Sequence, residues 1–335
     1  MTWADKIITD KELAVFSEGS PGNQLTSRVA ALIEHQKRKW PLLREGYESL
    51  QKAEHRRINL PGTQGAGVVV QLNPKRIRST AAPVDKASVD ARRCFLCPES
   101  LPPEEKGIAY GETLIIACNP YPVLDRHLSI IHRQHIPQRI EGNVETLLDL
   151  ARDLGPDYFV LYNGPQCGAS APDHLHFQAC SRTLLPIEDD LRGLTGAGRV
   201  VALNGCGRSV IVFRGGDARV LAGSIYQSLE ALARTRAPHG SDISGEPMVN
   251  IIATNDERGW TVYLFPRARH RPASFYAEGD ERLTISPGAI DMAGVVVMPD
   301  AEQFRRVTPE QVGEILSEVS LDRQSVDKVV LKLTV

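Results

Sequence analysis

Residues 163–180 read N-G-P-Q-C-G-A-S-A-P-D-H-L-H-F-Q-A-C. Near its end, His174, His176 and Gln178 alternate with Leu175, Phe177 and Ala179. Side chains of a β-strand switch faces at every residue. An extended segment here therefore carries two imidazoles and an amide on one face and apolar bulk on the other. Gly164, Gly168, Ala169 and Ser170 lie just upstream, and small residues let backbone N–H groups approach an anion closely. The stretch reads as a phosphate-binding loop feeding a strand that carries a nucleophile. Alternating strands are commonly just half exposed, but a solvated face has little use for two histidines and a glutamine behind such a loop.

Working outward, Leu114–Cys118, Leu128–Ile131 and Tyr158–Tyr162 are strand-like runs, and Glu145–Leu154 has helical spacing. Strand, strand, helix, strand, loop and catalytic strand suit an antiparallel sheet with a helix on one face, an α+β arrangement. After Cys180 the pattern recurs: strands at Val200–Leu203 and Ser209–Phe213, a helix at Ala218–Arg234, strands at Met248–Thr254 and Thr261–Phe265. This second copy lacks the histidines. Upstream, Leu25–Lys52 has helical apolar spacing that Pro41 should kink or divide. Gly65–Asn73 is a β-rich run behind a glycine turn, followed by Lys75, Arg76 and Arg78. Thr308-Pro309-Glu310-Gln311 starts a helix, with a threonine cap and proline at its first position. Ser20–Asn23 and Pro238–Gly245 read as a turn cluster and a loop. The expected units are 1–60, an N-terminal helical extension; 61–185, the catalytic half; and 186–335, a degenerate half ending in a helix.

Composition bounds the function. The chain has 335 residues, is 42% hydrophobic and carries a net charge of −2, which suits one large or two medium domains and gives no basic footprint for nucleic acid. No apolar run has the length of a membrane span, and the first ten residues lack a signal-peptide core. The six cysteines are not spaced as a secreted disulfide framework, so a cytoplasmic setting is expected. Cys94 and Cys97 form a C-x-x-C, redox-active or half of a metal site that needs two more ligands.

The segment H-L-H-F-Q, with G-A-S and Asn163 before it, resembles the H-x-H-x-Q motif of the transferase branch of the histidine-triad superfamily. That branch contains galactose-1-phosphate uridylyltransferase, diadenosine tetraphosphate phosphorylase and GDP-hexose phosphorylases. The stretches around Lys75, W-T-V-Y-L-F-P-R-A-R-H-R-P and I-S-P-G-A-I-D-M-A-G-V-V-V resemble the GDP-hexose phosphorylases. The resemblance implies two histidine-triad-like halves in one chain. It makes His176 the nucleophile toward an α-phosphorus and Gln178 the holder of the transferred phosphoryl. Asn163, Gly168, Ala169, Ser170, Lys75, Arg76, Arg267, Arg269 and His270 become candidates for substrate binding. Segment 126–136, R-H-L-S-I-I-H-R-Q-H-I, resembles a histidine-triad strand, and the zinc-bearing members imply Zn²⁺ on Cys94, Cys97, His135 and His174. The implied reaction is phosphorolysis of a nucleoside diphosphate sugar through a nucleotidyl-histidine. A dinucleoside polyphosphate phosphorylase or hydrolase is the alternative, and a zinc-stabilised nucleotide-binding protein without catalysis stands behind it. Partners are then the nucleotide and phosphate, with no nucleic acid or membrane, and a monomer or homodimer.

An attacking imidazole must be neutral, which a side chain with an unperturbed pKa near 6.5 allows. Its second nitrogen should donate to a backbone carbonyl and so fix the tautomer. Glutamine in place of a third histidine cannot supply a proton near neutral pH. That favours a leaving group needing none, such as a phosphate.

Overall fold

The computed structural model describes residues 1–16, 25–63, 67–80, 83–191, 200–203, 207–235 and 246–333. The turn cluster at Ser20–Asn23 and the loop at Pro238–Gly245 lie outside the described residues. Twelve strands are described: β1 Glu54–Asn59, β2 Gly67–Leu72, β3 Gly107–Tyr110, β4 Leu114–Cys118, β5 Leu128–His132, β6 Tyr158–Asn163, β7 His176–Ser181, β8 Val200–Leu203, β9 Val210–Gly215, β10 Val249–Asp256, β11 Gly259–Pro266 and β12 Val295–Met298. Nine form one sheet in the order β3-β4-β5-β7-β6-β10-β11-β9-β8, and its strand pairs are antiparallel. The α+β class is as expected.

The order repeats in mirror sequence about the β6–β10 pair. On one side run β6, β7, β5, β4; on the other run β10, β11, β9, β8. A helix intervenes at the same point of each half, Val144–Leu154 between β5 and β6 and Ala218–Thr235 between β9 and β10. Two halves of like topology, as expected, are thus joined edge to edge by a central antiparallel pair with Asn163 opposite Asn250. The boundary expected near residue 185 falls between β7 and β8 of this one sheet. The segment expected as a helical extension also contains β1, whose partner is β2, and β12 adds to β2 in parallel.

The pleat explains the layering. Phe177 and Ala179 of β7 point with Tyr158, Val160 and Tyr162 of β6 into a core shared with the two helices. Leu32, Trp40 and Leu43, from the helices Leu25–Lys39 and Pro41–Gln51, join the same core. Pro41 divides these helices, because it opens the second one where a missing N–H costs nothing. Fully burying a side chain such as Phe177 contributes about 2 kcal/mol, so β7 is anchored from that face. The opposite face is covered in the second half by β1-β2-β12 and the helix Pro309–Val319. In the first half it opens into a cavity. No described helix is long and apolar enough to cross a membrane.

Candidate active site and metal centre

The cavity measures about 510 Å³, within the range of small-molecule sites. His176 and Gln178 face it from β7 and Ser129 and Ile131 from β5, with Ser129 opposite Gln178 and Ile131 opposite His176. Burial pushes the His176 ring down to about 4, so it is neutral. Its Nδ1 lies 2.8 Å from the His174 carbonyl oxygen. A carbonyl only accepts, so Nδ1 carries the proton and Nε2 keeps a free lone pair.

A second chain of donors fixes Gln178. The Val123 N–H donates to His127 Nδ1 at 3.1 Å, and His127 Nε2 lies 2.8 Å from Gln178 Oε1. With Nδ1 accepting, Nε2 must donate, and the Gln178 amide oxygen must receive it. The Gln178 NH₂ is what remains for the cavity. Burial, with the Arg76 charge adding to it, pushes His127 down to about 3, in keeping with a neutral ring. His127 stands in the histidine-bearing strand segment, but its spacing alone gave no sign of this contact.

The loop 164–175 between β6 and β7 is held from outside. The Gly164 N–H donates to Val249 O, Asn250 Nδ2 to Cys167 O at 2.6 Å, and Arg92 to Ser170 O and Asp173. Gly168 has φ +96° and presses on Gly288, where a Cβ would come within 2.9 Å of its Cα. The backbone N–H groups of Gly168, Ala169 and Ser170 donate to no acceptor among the described residues, and all three residues line the cavity. Such successive free donors make an anion cradle.

Gln138, fully buried, clamps the strand ends. Its Nε2 donates to Asn163 O and His176 O, and its Oε1 accepts the His176 N–H at 2.8 Å. Asn163 lines the cavity, and its Oδ1 accepts from Asn250 Nδ2 and the Ala289 N–H, each at 2.8 Å. Neither Gln138 nor Asn250 was marked by any motif.

The basic candidates divide. Arg76 and His270 line the cavity, as does Arg271, which is held by Ser286 Oγ and Thr80 O. Lys75 does not line it: its ammonium pairs with Glu45 at 3.4 Å on the surface. Arg269 is likewise turned away, paired with Glu318 at 2.6 Å. Arg267 is buried and takes the Asn250 side-chain oxygen and the carbonyls of Val319, Pro287, Arg269 and His270. With its donors engaged there, it ties the wall of the site together instead of meeting a ligand.

Cys94, Cys97, His135 and His174 converge beside the site, their ligand atoms all within 4.8 Å of one another. His174 Nδ1 lies 3.3 Å from Cys94 Sγ, and His135 Nδ1 lies 3.2 Å from Cys97 Sγ. The outer nitrogens are occupied as metal-bound imidazoles require: His174 Nε2 donates to His132 O, and His135 Nε2 faces Asp173. This group could hold a metal ion.

Residues 32–181 match a family model described as a domain of unknown function, DUF4922, and residues 193–334 match the C-terminal domain of GDPGP1-like proteins. The crystal structure of yeast Ap4A phosphorylase is similar over 84% of this chain and 96% of its own, with 16% identity and a TM-score of 0.59. The same enzyme in complex with Ap4A is similar over 85% and 97%, with 17% identity and a TM-score of 0.55. That likeness is one of fold. No curated protein matches the sequence.

Proposed function

We propose that the chain belongs to the galactose-1-phosphate uridylyltransferase-like branch of the histidine-triad superfamily, and that it is a nucleotidyltransferase of phosphorylase type, cleaving a nucleoside diphosphate sugar with phosphate. The observation that carries this reading is the His176 ring, with Nδ1 bound to the His174 carbonyl and Nε2 free beside the N–H groups of 168–170. Nε2 attacks the α-phosphorus. An N–P bond forms, the bond to the bridging oxygen breaks, and the sugar 1-phosphate leaves with that electron pair. The Gly168–Ser170 N–H groups and the Gln178 amide receive the charge gathering on the phosphoryl oxygens. Arg76, Arg271 and His270 line the remaining wall, where guanidinium forks suit the distal phosphate. A phosphate oxygen then attacks the nucleotidyl-His176, the N–P bond breaks, and a nucleoside diphosphate departs. The leaving group is already a phosphate ester, so no acid is needed where Gln178 stands.

Zn²⁺ is the metal that two thiols and two imidazoles select. Bound by His174, it would fix the start of β7 two residues before the nucleophile. Cys94, Cys97, Cys118 and Cys180 form no disulfide, in keeping with a reducing cytoplasm.

Yeast Ap4A phosphorylase shares the fold, so a dinucleoside polyphosphate is the second substrate to test. Incubation of the full chain with nucleotide sugars or Ap4A, without phosphate, should release one equivalent of leaving group. It should also add one nucleoside monophosphate to the peptide bearing His176. His176→Ala should abolish both, lowering turnover at least about 10³-fold. Multiple turnovers without phosphate would instead make the protein a hydrolase.

A further inference from the structure

Among the described residues, Glu105 is the cavity-lining acid that the proposed chemistry leaves unused and without a hydrogen-bond donor. It is 7% exposed, and no described residue donates a hydrogen bond to its carboxyl group. The nearby Lys6 ammonium attracts it across space but gives its hydrogen bonds to the carbonyls of Leu101 and Pro102. A carboxyl group buried at this cost without a hydrogen-bond donor is left to meet something that enters the cavity. Asp291 also lines the cavity, but its two oxygens are taken by the Gly288 and Val297 N–H groups.

Position gives that something a shape. Glu105 lies two residues before β3, whose Gly107 faces Ala117 of β4. Ala117 faces Ser129 and Ser129 faces Gln178. Glu105 thus stands three strands from the phosphoryl site, roughly 14 Å away along the sheet, on the same side of it. That is about the reach of a nucleotide from its α-phosphate to the outer edge of its base. The polar residues Asn119 and Ser129 line the interval, joined to each other at 3.3 Å. Trp40, Phe95, Leu101 and Pro120 line the walls, apolar and partly aromatic, as a flat heterocycle requires.

We propose that Glu105 determines the base, accepting two adjacent N–H donors from the edge of a guanine ring. The inference rests on the nucleotidyl-transfer reading of the same cavity. A carboxylate offers two acceptors side by side. Guanine answers with N1–H and the exocyclic N2–H. Adenine sets the N1 lone pair against one of the oxygens, and a pyrimidine edge offers one donor beside an acceptor. Desolvation holds the Glu105 carboxyl up to about 8, and a matched pair of donors is what returns it to the carboxylate.

Titration calorimetry on the full chain with GMP, IMP, AMP and UMP tests this. GMP should bind about 100-fold tighter than AMP or UMP. IMP, lacking the N2 amine, should lose roughly tenfold, the worth of one charge-assisted hydrogen bond. Glu105→Gln presents one acceptor and one donor, the complement of adenine, and should weaken GMP while strengthening AMP. Equal binding of GMP and AMP by the wild type, or an unchanged ratio in Glu105→Gln, overturns the assignment and leaves the transfer reading standing. Failure of all four to bind overturns both. Should the variant not fold, the wild-type series alone decides.

Discussion

The two halves join the same pair of strands in different ways. β10 and β11 turn back through Glu257 and Arg258, while β6 and β7 are separated by the loop 164–175. The tight turn satisfies itself, with Asp256 facing Gly259 across the hairpin. The long loop leaves three successive N–H groups free and borrows its rigidity from the other half and from the Cys–His cluster. A binding loop must leave donors open, so its conformation has to be enforced from elsewhere. The second half has no such loop between β10 and β11, yet the ends of these strands that reach the site carry Asn250 and Arg267, which hold Asn163, Cys167 and Pro287 in place. The half without that loop serves as a buttress.

The contrast is most exposed to attack at the metal cluster. Chelation, or Cys97→Ser, should remove about one equivalent of metal and destabilise the fold by about 4 kcal/mol, or roughly 8 °C in Tm at this size. Turnover should fall with it, because His174 then no longer holds β7. Elemental analysis, thermal unfolding and activity on one preparation give the answer. Unchanged Tm and turnover would mean that the loop holds itself.

The buttress is tested along one strand. Asn250→Ala removes donors to Asn163 and Cys167 and strips an acceptor from the buried Arg267. The cost should be about 3 kcal/mol, with weakened nucleotide binding. Asn255, at the tight-turn end of β10, makes no side-chain hydrogen bond among the described residues, and Asn255→Ala should stay within about 0.5 kcal/mol. Chemical denaturation of both variants reads the difference. Equal losses would deny the second half its supporting part.

Much of this was legible because the signal is local. Leu114–Cys118 is a strand at the expected bounds, and the helix at Ala218 runs one residue past its expected end. His176, Gln178 and the small-residue loop needed only alternation and composition, whereas His174, expected on the same strand face, lies in the bend before β7 and turns to the cysteines instead of the cavity. What escaped reading depends on distant partners. β1, E-H-R-R-I-N, has an edge pattern of charges with no clean alternation, and the parallel pairing of β12 with β2 joins residues more than two hundred positions apart. Gln138 and Asn250 are single amides whose importance lies in their neighbours. The cluster Arg267–Arg271 misled for the same reason. Adjacent cations look alike in sequence, yet Arg267 turns into backbone carbonyls, Arg269 to Glu318 and Arg271 to the cavity.

The smallest expected effects separate the two connections most cleanly. Gly168 and Gly259 have nearly the same left-handed backbone, φ +96° and +97°. A Cβ at Gly168 would meet Gly288 Cα at 2.9 Å, and one at Gly259 would meet the Gly215 carbonyl oxygen at 2.5 Å. Alanine should therefore cost each position about 2 kcal/mol of stability, from the left-handed strain and the displaced neighbour. The consequence for chemistry should differ. Gly168→Ala shifts the free N–H groups beside His176, and turnover per folded molecule should drop on the order of tenfold, since small misplacements at a reacting centre are costly. Gly259→Ala moves backbone against β9, on strands that carry no part of the cradle, and turnover per folded molecule should stay at the wild-type value. Parallel melting curves and initial rates, corrected for the folded fraction, distinguish the two. A turnover defect in Gly259→Ala as large as that in Gly168→Ala would mean that the second half is coupled to the chemistry through more than its buttressing residues.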